Sequence, residues 1–309
     1  MDFKYVPSYD ECMDIVANNP CFIKKVEIVN NIPIATFAYR LATVEDFCRK
    51  GARNLRGITF REDTKEILAL PLHKFWNLGE NQFTELSAIE NKNILRVTEK
   101  YDGSLVYFFM IDNELYCKTK LNSFSEQAIA AMDIVEENAT LRKSIIELIQ
   151  NGYTPMFEYI SPQNQIVVKY DDERLKYIGA RNMIDGTYDF DPIEGSDPVE
   201  IFTMDNLYKV INVAENYIGH EGFVIVFDDQ DMVKIKTSEY FKLHKIRSNI
   251  LNDNLLAELI LNENLDDIKY TLLSSESDIL DYIDKFEKKV INRYNQLIDA
   301  AQKYYETHR

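Results

Sequence analysis

Short runs dominated by apolar, β-branched and aromatic residues recur through the first three quarters of the chain. Ile94–Thr98, Leu105–Ile111, Glu114–Lys118, Pro155–Ile160, Ile166–Tyr170, Leu175–Ala180, Gly222–Phe227 and Met232–Lys236 each have the length and residue types of a strand. They predict an antiparallel-rich sheet. Two helices are expected among them. Ser123 and Glu126 have capping-box spacing ahead of Gln127–Glu136, and Thr140 can cap Leu141–Gln150, with Asn151-Gly152 as the stop. Further on the period changes: Ile279, Ile283, Phe286, Val290, Tyr294, Leu297, Ala301 and Tyr304 are spaced by three or four, which places them on one face of a long amphipathic helix. Leu255, Leu256, Leu259 and Ile260 predict a shorter helix before it. The last proline is Pro198 and the last glycine Gly222, so the punctuation that turns require stops where the helical period begins. The expected fold is α+β, with an antiparallel-rich domain over residues 1–243 and a small all-helical C-terminal domain over 244–309.

Composition supports a folded protein. Of 309 residues 46% are hydrophobic and 12% aromatic, enough for a substantial core and against global disorder. No apolar run approaches the ~20 residues that cross a bilayer, and Met1 to Pro7 lacks the layout of a signal peptide, so no membrane association and a cytoplasmic location are expected. Cys12, Cys21, Cys48 and Cys117 are irregularly spaced without a C-x-x-C pair, which argues against a zinc ribbon or a disulfide framework. The net charge of −16 repels polyanions at long range and disfavours a passive nucleic-acid coat protein. An enzyme can still hold a polyanion in a locally basic cleft.

The chemistry concentrates in a few places. In Thr98-Glu99-Lys100-Tyr101-Asp102-Gly103-Ser104 a lysine ends one expected strand and a glycine turns the chain into the next. Taken alone this is equally a solvated Asp-Gly hairpin turn. Lys234 and Lys236 lie two apart on an expected strand and so face one side. In a cleft they would clamp phosphate and disfavour protonation of a third lysine, which makes that lysine a better nucleophile. Glu221 stands at the mouth of the apolar strand Gly222–Phe227, and a carboxylate near phosphates is what a divalent cation requires. Glu158 interrupts an apolar strand, where a charge must be paired, exposed or functional. Arg56 precedes a strand at Ile58, and Lys74 lies two residues from Trp76, the sole tryptophan; together they offer cations for phosphates and an aromatic face for a base.

In order along the chain, R-G, H-K-F-W-N, K-Y-D-G-S, F-E-Y, E-G-F and K-I-K resemble the nucleotidyltransferase motifs of ATP-dependent ligases, in particular the tRNA-repair RNA ligase 1 family of T-even bacteriophages. The resemblance runs from about Ala35 to Leu243 and includes Lys74–Asn81, Ser125–Ala128 and Ser161–Val167 outside the core motifs. It implies an adenylyltransferase domain over 1–243 and ATP as a substrate. Lys100 would be the nucleophile, with AMP passing from it to an RNA 5′-phosphate before a 3′-hydroxyl displaces AMP. Lys234 and Lys236 would contact the α-phosphate. Tyr39, Arg56, Lys74, Trp76, Asp102, Gly103, Lys118 and Lys120 would line the ATP site, Glu158 would lie near the ribose, and Glu221 near metal and lysine. Asp266 and Asp267 match an acidic pair that the family places near a metal, although Asp-Asp in an acidic helical tail is more often solvated. Mg2+, with Mn2+ as a substitute, and single-stranded or nicked RNA, tRNA included, are the implied cofactor and partner. A monomer is expected, in a host cytoplasm if the protein is phage-encoded. The helical tail is too short to carry over restriction to tRNA.

DNA ligases and capping guanylyltransferases share this lysine chemistry but usually append a β-barrel, and a tail without Gly or Pro and with a helical period disfavours both. A non-catalytic module that binds nucleotides or RNA ends is the remaining alternative. The intact set Lys100, Glu158, Glu221, Lys234 and Lys236 speaks against it.

Overall fold

The computed structural model describes residues 2–164, 167–238, 240, 253–263, 265, 269 and 277–307. The chain divides into two compact units, Met1–Tyr240 and Phe241–Arg309.

In the first unit the strands are, in chain order, β1 (Phe22–Val29), β2 (Ile32–Tyr39), β3 (Ile58–Arg61), β4 (Ile67–Ala69), β5 (Trp76–Asn77), β6 (Ile94–Lys100), β7 (Ser104–Ile111), β8 (Glu114–Lys118), β9 (Tyr153–Ile160), β10 (Arg174–Asn182), β11 (Tyr188–Asp189), β12 (Asp197–Pro198), β13 (Ile201–Phe202), β14 (Gly222–Phe227) and β15 (Met232–Lys236). The helices are α1 (Tyr9–Asn18), α2 (Leu86–Ile89), α3 (Glu126–Glu137), α4 (Ala139–Gln150) and α5 (Leu207–Asn216). Three sheets result: β1-β2-β3-β4; β11-β10-β9-β7-β8 with β12 beside β10; and β13-β6-β14-β15-β5. Most pairings are antiparallel; β10 with β12 and β15 with β5 are parallel. The class is α+β with antiparallel sheets, as the hydrophobic runs imply.

Each sheet packs one face against a helix or helices, and the opposite faces meet in a shared core of Ile34, Tyr107, Phe109, Met156, Val226 and Met232. The first packs Phe22, Phe37 and Phe60 against Tyr9, Cys12 and Ile15 of α1, whose start is fixed by a capping box between Ser8 and Glu11. The second packs Val106, Phe108, Phe157 and Tyr177 under α3 and α4. The third packs Val97, Phe223, Ile225 and Val233 under Leu207, Val210 and Ala214 of α5; its other face buries Val226 and Met232 in the shared core and carries polar groups toward the Gly222 end of β14.

Three expectations need correction. The cap of α3 is Ser125, whose hydroxyl accepts from the Ala128 N–H, and not Ser123; the cap of α4 is Asn138, two residues before Thr140. Asx and Ser side chains compete for these caps, and sequence spacing alone did not decide between neighbours. Val167–Tyr170 is not a strand. Its amides are held by a side chain, described below, in place of a neighbouring strand.

In the second unit α6 (Asp253–Leu261) and α7 (Ser277–Thr307) are helical, the latter 31 residues long. Among the described residues no helix is long and apolar enough to cross a membrane. Asp266 and Asp267, and the expected boundary at Leu243, lie outside the described residues.

Candidate active site

Strand register builds the centre of the site. Gly222 pairs with Lys100 on one side and Lys236 on the other, and Val224 pairs with Thr98 and Lys234, so Lys100, Lys234 and Lys236 share the face of the third sheet opposite α5. Glu221 bridges two of them. Its Oε2 accepts from Lys100 Nζ at 2.5 Å and its Oε1 lies 3.0 Å from Lys236 Nζ. The Glu221 and Lys236 side chains are 4% and 3% exposed, while Lys100 keeps 22% of its surface in reach of solvent. A buried carboxylate held by two ammonium groups fixes both of them. Gly222 makes the convergence sterically feasible: at φ +154° its backbone suits glycine, and a Cβ there would stand 2.0 Å from the Ile235 carbonyl oxygen.

The Lys100–Gly103 turn is clasped to its surroundings. Asp102 is 2% exposed; its Oδ2 accepts from the Val167 and Val168 N–H groups at 2.6 and 2.8 Å, and its Oδ1 accepts from the Tyr240 hydroxyl at 3.0 Å. The Asp102 N–H donates to the Tyr170 hydroxyl at 2.9 Å. Burial, then the Glu221 charge, push the Asp102 carboxyl up, while the two N–H groups and Lys100 oppose them. Asp102 therefore positions the turn. Gly103 lets that turn lie against β9, since a Cβ would stand 2.3 Å from the Tyr159 carbonyl oxygen and 3.1 Å from Cγ of Glu158.

Glu158 is half-buried beside this centre, and burial pushes its carboxyl up to about 7; Lys100 and Arg56 pull down, Glu221 and Asp102 push up. A carboxyl left at such a value in a cleft is a mark of function more than of stability. The linkage has a definite sign. The folded protein holds the proton up to about pH 7, the unfolded chain only to the ordinary 4.5, so the fold carries a penalty that opens as pH rises above 4.5 and is complete above 7. Glu158→Gln mimics the protonated form. It is expected to unfold at higher denaturant than wild type at pH 8, by about 1–3 kcal/mol, with no difference at pH 4; equal midpoints at pH 8 would show that the carboxylate is not strained there.

The remaining candidates fall into two groups. Lys74 and Lys120 place their ammonium groups 5.5 and 4.2 Å from the centre of the Tyr39 ring, and Arg56 lies over Phe75. Lys74 is set by Arg53: Lys74 N–H donates to the Arg53 carbonyl at 2.8 Å and Arg53 Nε donates back to the Lys74 carbonyl at 2.9 Å. Arg53 in turn grips Asp231, which takes a hydrogen bond from His73 Nε2 at 3.1 Å, while His73 Nδ1 meets the Tyr188 hydroxyl at 2.7 Å. Burial leaves His73 neutral at physiological pH, although its bond to Asp231 opposes this. This network was not legible in the sequence, because Asp231 and Tyr188 are 158 and 115 positions from His73.

Two candidates sit elsewhere than the sequence reading expects. Lys118 is fully buried, hydrogen-bonded to Thr36 and Thr59 and 3.7 Å from Glu27, so it ties β1, β2, β3 and β8 together instead of facing the lysine cleft. Burial lowers it to about 7 against the pull of Glu27. Trp76 is 3% exposed and edge-on to Phe47, with Arg53 5.1 Å from its ring, so it offers no open face to a base.

Among the described residues no group of three or more His, Cys, Asp or Glu could hold a metal by protein atoms alone. Glu158 instead suits a divalent cation that arrives on phosphates and takes one or two carboxylates from the protein, while both Glu221 oxygens are engaged by Lys100 and Lys236. Two lysines sharing a carboxylate, a third lysine beside them and a clasped turn can bind a polyphosphate, neutralise charge developing at phosphorus and present an amine to it.

Comparison with known proteins narrows this chemistry. The chain is 28% identical over 295 residues, 91% of its length and 76% of the relative's, to a Thermovibrio ammonificans protein named "Putative RNA ligase". It is 25% identical over 281 residues, 86% of its length and 70% of the other's, to RNA ligase 1 of bacteriophage TS2126. Among solved structures, form 2 of an archaeal ATP-dependent RNA ligase superposes with a TM-score of 0.56 at 13% identity, covering 93% of this chain and 76% of that one. An Aquifex aeolicus protein described as "Putative ATP-dependent DNA ligase" superposes nearly as well, at 0.53 and 13% identity over 95% and 80%, so the superpositions establish the fold of nucleotidyltransferase ligases and leave the nucleic acid to sequence. There the distinction is made: the family model described as RNA ligase matches residues 54–251, which include Lys100, Glu158, Glu221, Lys234 and Lys236. This chain belongs to the RNA ligase family.

Proposed function

We propose that the protein joins RNA 5′-phosphate and 3′-hydroxyl ends with ATP through a covalent adenylate on Lys100. The observation that carries this reading is the carboxylate of Glu221, shared by Lys100 and Lys236 across Gly222. In the first step the Lys100 Nζ–P bond forms, the bond from the α-phosphorus to the bridging oxygen breaks, and pyrophosphate leaves. The proton released from Nζ has Glu221 as its adjacent acceptor. Lys234 and Lys236 neutralise the α-phosphate oxygens, and Arg56, Lys74 and Lys120 with Tyr39 hold the rest of the nucleotide. In the second step an RNA 5′-phosphate oxygen takes AMP from Lys100, and in the third a 3′-hydroxyl attacks that phosphate and AMP leaves. A transient P–N bond divides one difficult joining into easier displacements. A divalent cation, when bound, lends charge neutralisation at the phosphates.

Residues 1–243 serve in this reading as the adenylyltransferase domain and 244–309 as a helical accessory domain, in a monomer acting on single-stranded or nicked RNA, including broken tRNA, in the cytoplasm of a cell or of a phage host. Purified protein given α-labelled ATP and Mg2+, then 5′-phosphorylated single-stranded RNA or DNA of one sequence, tests the substrate. The expected result is transfer of label to the 5′ end of RNA and formation of joined or circular RNA. Equal joining of DNA would overturn the RNA preference, and label that never leaves the protein would overturn ligation.

A further inference from the structure

We infer that Glu99 and His220 form a latch behind the reactive lysine and are positioning residues for adenylation; the inference rests on the lysyl-adenylate reading above. Glu99 and Lys100 are neighbours on β6 and point to opposite faces. His220 and Glu221 are neighbours at the entry to β14. On the cleft side Lys100 meets Glu221; on the side of α5 the Glu99 carboxylate, 6% exposed, meets His220 Nδ1 at 2.5 Å. The two contacts are one peptide apart on each strand and of opposite polarity.

The entry to β14 needs such a device. Gly222 contributes no side chain that could pack, and Gly219, at φ +80°, has nothing within 4 Å of a would-be Cβ. Between these two permissive residues the direction of Glu221 is set by what grips residue 220. Tyr217, just past α5, stacks on the His220 ring at 4.0 Å between centroids and 13° between planes, and packs in turn on Phe223. The backbone is held from the other side, where the Thr237 hydroxyl donates to the His220 carbonyl at 2.8 Å and the Thr237 N–H to the Glu221 carbonyl at 2.9 Å.

Packing alone does not call for a carboxylate at position 99. On that face Val97, Phe223 and Ile225 are fully buried and apolar, and the polar groups that meet the carboxylate are the Tyr101 hydroxyl and His220; an apolar side chain would avoid the cost of burying a charge. A hydrogen-bonded acid fixes one geometry where an apolar contact tolerates several.

A double-mutant cycle on the full chain tests this, with single-turnover adenylation measured on protein first stripped of bound AMP by pyrophosphate. For Glu99→Gln and His220→Gln we expect the rate at saturating ATP to fall about 10–100-fold, the range a misplaced reacting group costs, with half-saturation by ATP changed less than about threefold. The double variant is expected to be no slower than the slower single one, as for residues that act through one contact. Unchanged maximal rates, loss only in ATP affinity, or multiplying losses would each overturn the latch. Should Glu99→Gln not fold by circular dichroism, His220→Gln, a one-third exposed position, decides alone. Wild-type protein that takes no AMP onto Lys100 sinks the adenylate reading and the latch with it; labelled wild type with equally fast variants sinks the latch alone.

Discussion

Lys100→Ala is expected to fold and to acquire no covalent AMP. The nucleophile has no substitute in the geometry. Lys236 is 3% exposed and bound to Glu221, and Lys234 sits a strand away beside Val224, so neither amine occupies the end of β6. The loss should be about 10⁴-fold or more, the scale seen when a covalent nucleophile is removed. Stability should change far less, by about 1 kcal/mol, because Glu221 keeps Lys236 at 3.0 Å and is not left as an uncompensated buried charge. Intact mass after incubation with ATP checks the outcome: wild type gains one AMP and the variant gains none. A variant that still gains AMP, on a lysine identified by peptide mapping, would move the nucleophile elsewhere and undo the assignment.

The reason this prediction can be made from so few residues is that the centre of the site is built from local pattern. A lysine ending one strand, a glycine opening the next and a lysine two after another on a third are each visible in the sequence, and antiparallel pairing then forces Lys100, Gly222 and Lys236 into line. The strands β8, β14 and β15 coincide with the apolar runs at residues 114–118, 222–227 and 232–236 because hydrophobic residues there meet clear turn signals. What was not legible depends on contacts across the chain. The β1-β2 hairpin carries Lys24, Lys25 and Glu27 among its apolar residues, and those charges blur its alternation; they are tolerated because Glu62, the Leu121 carbonyl and Lys118 receive them. Helix α5 is short and shows its apolar side only against the third sheet. Trp76 and Lys118 have the residue types of a ligand site, yet tertiary packing claims both. Residue type named the chemistry at these positions, and burial decided which of them can perform it.

Glu221→Gln separates the two carboxylates of the cleft. Glu221 and Glu158 are both expected to be needed for activity, yet their charges act on stability in opposite directions. Glu158 has burial against it and gains when neutralised at alkaline pH, as argued from its value of about 7. Glu221 has two ammonium groups on it, one of them almost fully buried, and an amide can offer a single acceptor oxygen while turning its N–H₂ toward the second cation. Removing one partner of a buried ion pair costs about 3–5 kcal/mol, because the other partner is left without compensation. Thermal unfolding of Glu221→Gln should therefore begin about 6–20 °C below wild type, taking about 2–4 °C per kcal/mol. Adenylation should fall about 10³-fold, since Lys100 loses both its alignment and its adjacent proton acceptor. Differential scanning calorimetry at pH 8 on the two variants side by side gives the decisive pattern, with Glu158→Gln above wild type and Glu221→Gln below it. If Glu221→Gln melted with wild type, the shared carboxylate would not be what holds the two lysines together, and the alignment of Lys100 with Lys236 would have to come from the strand register alone.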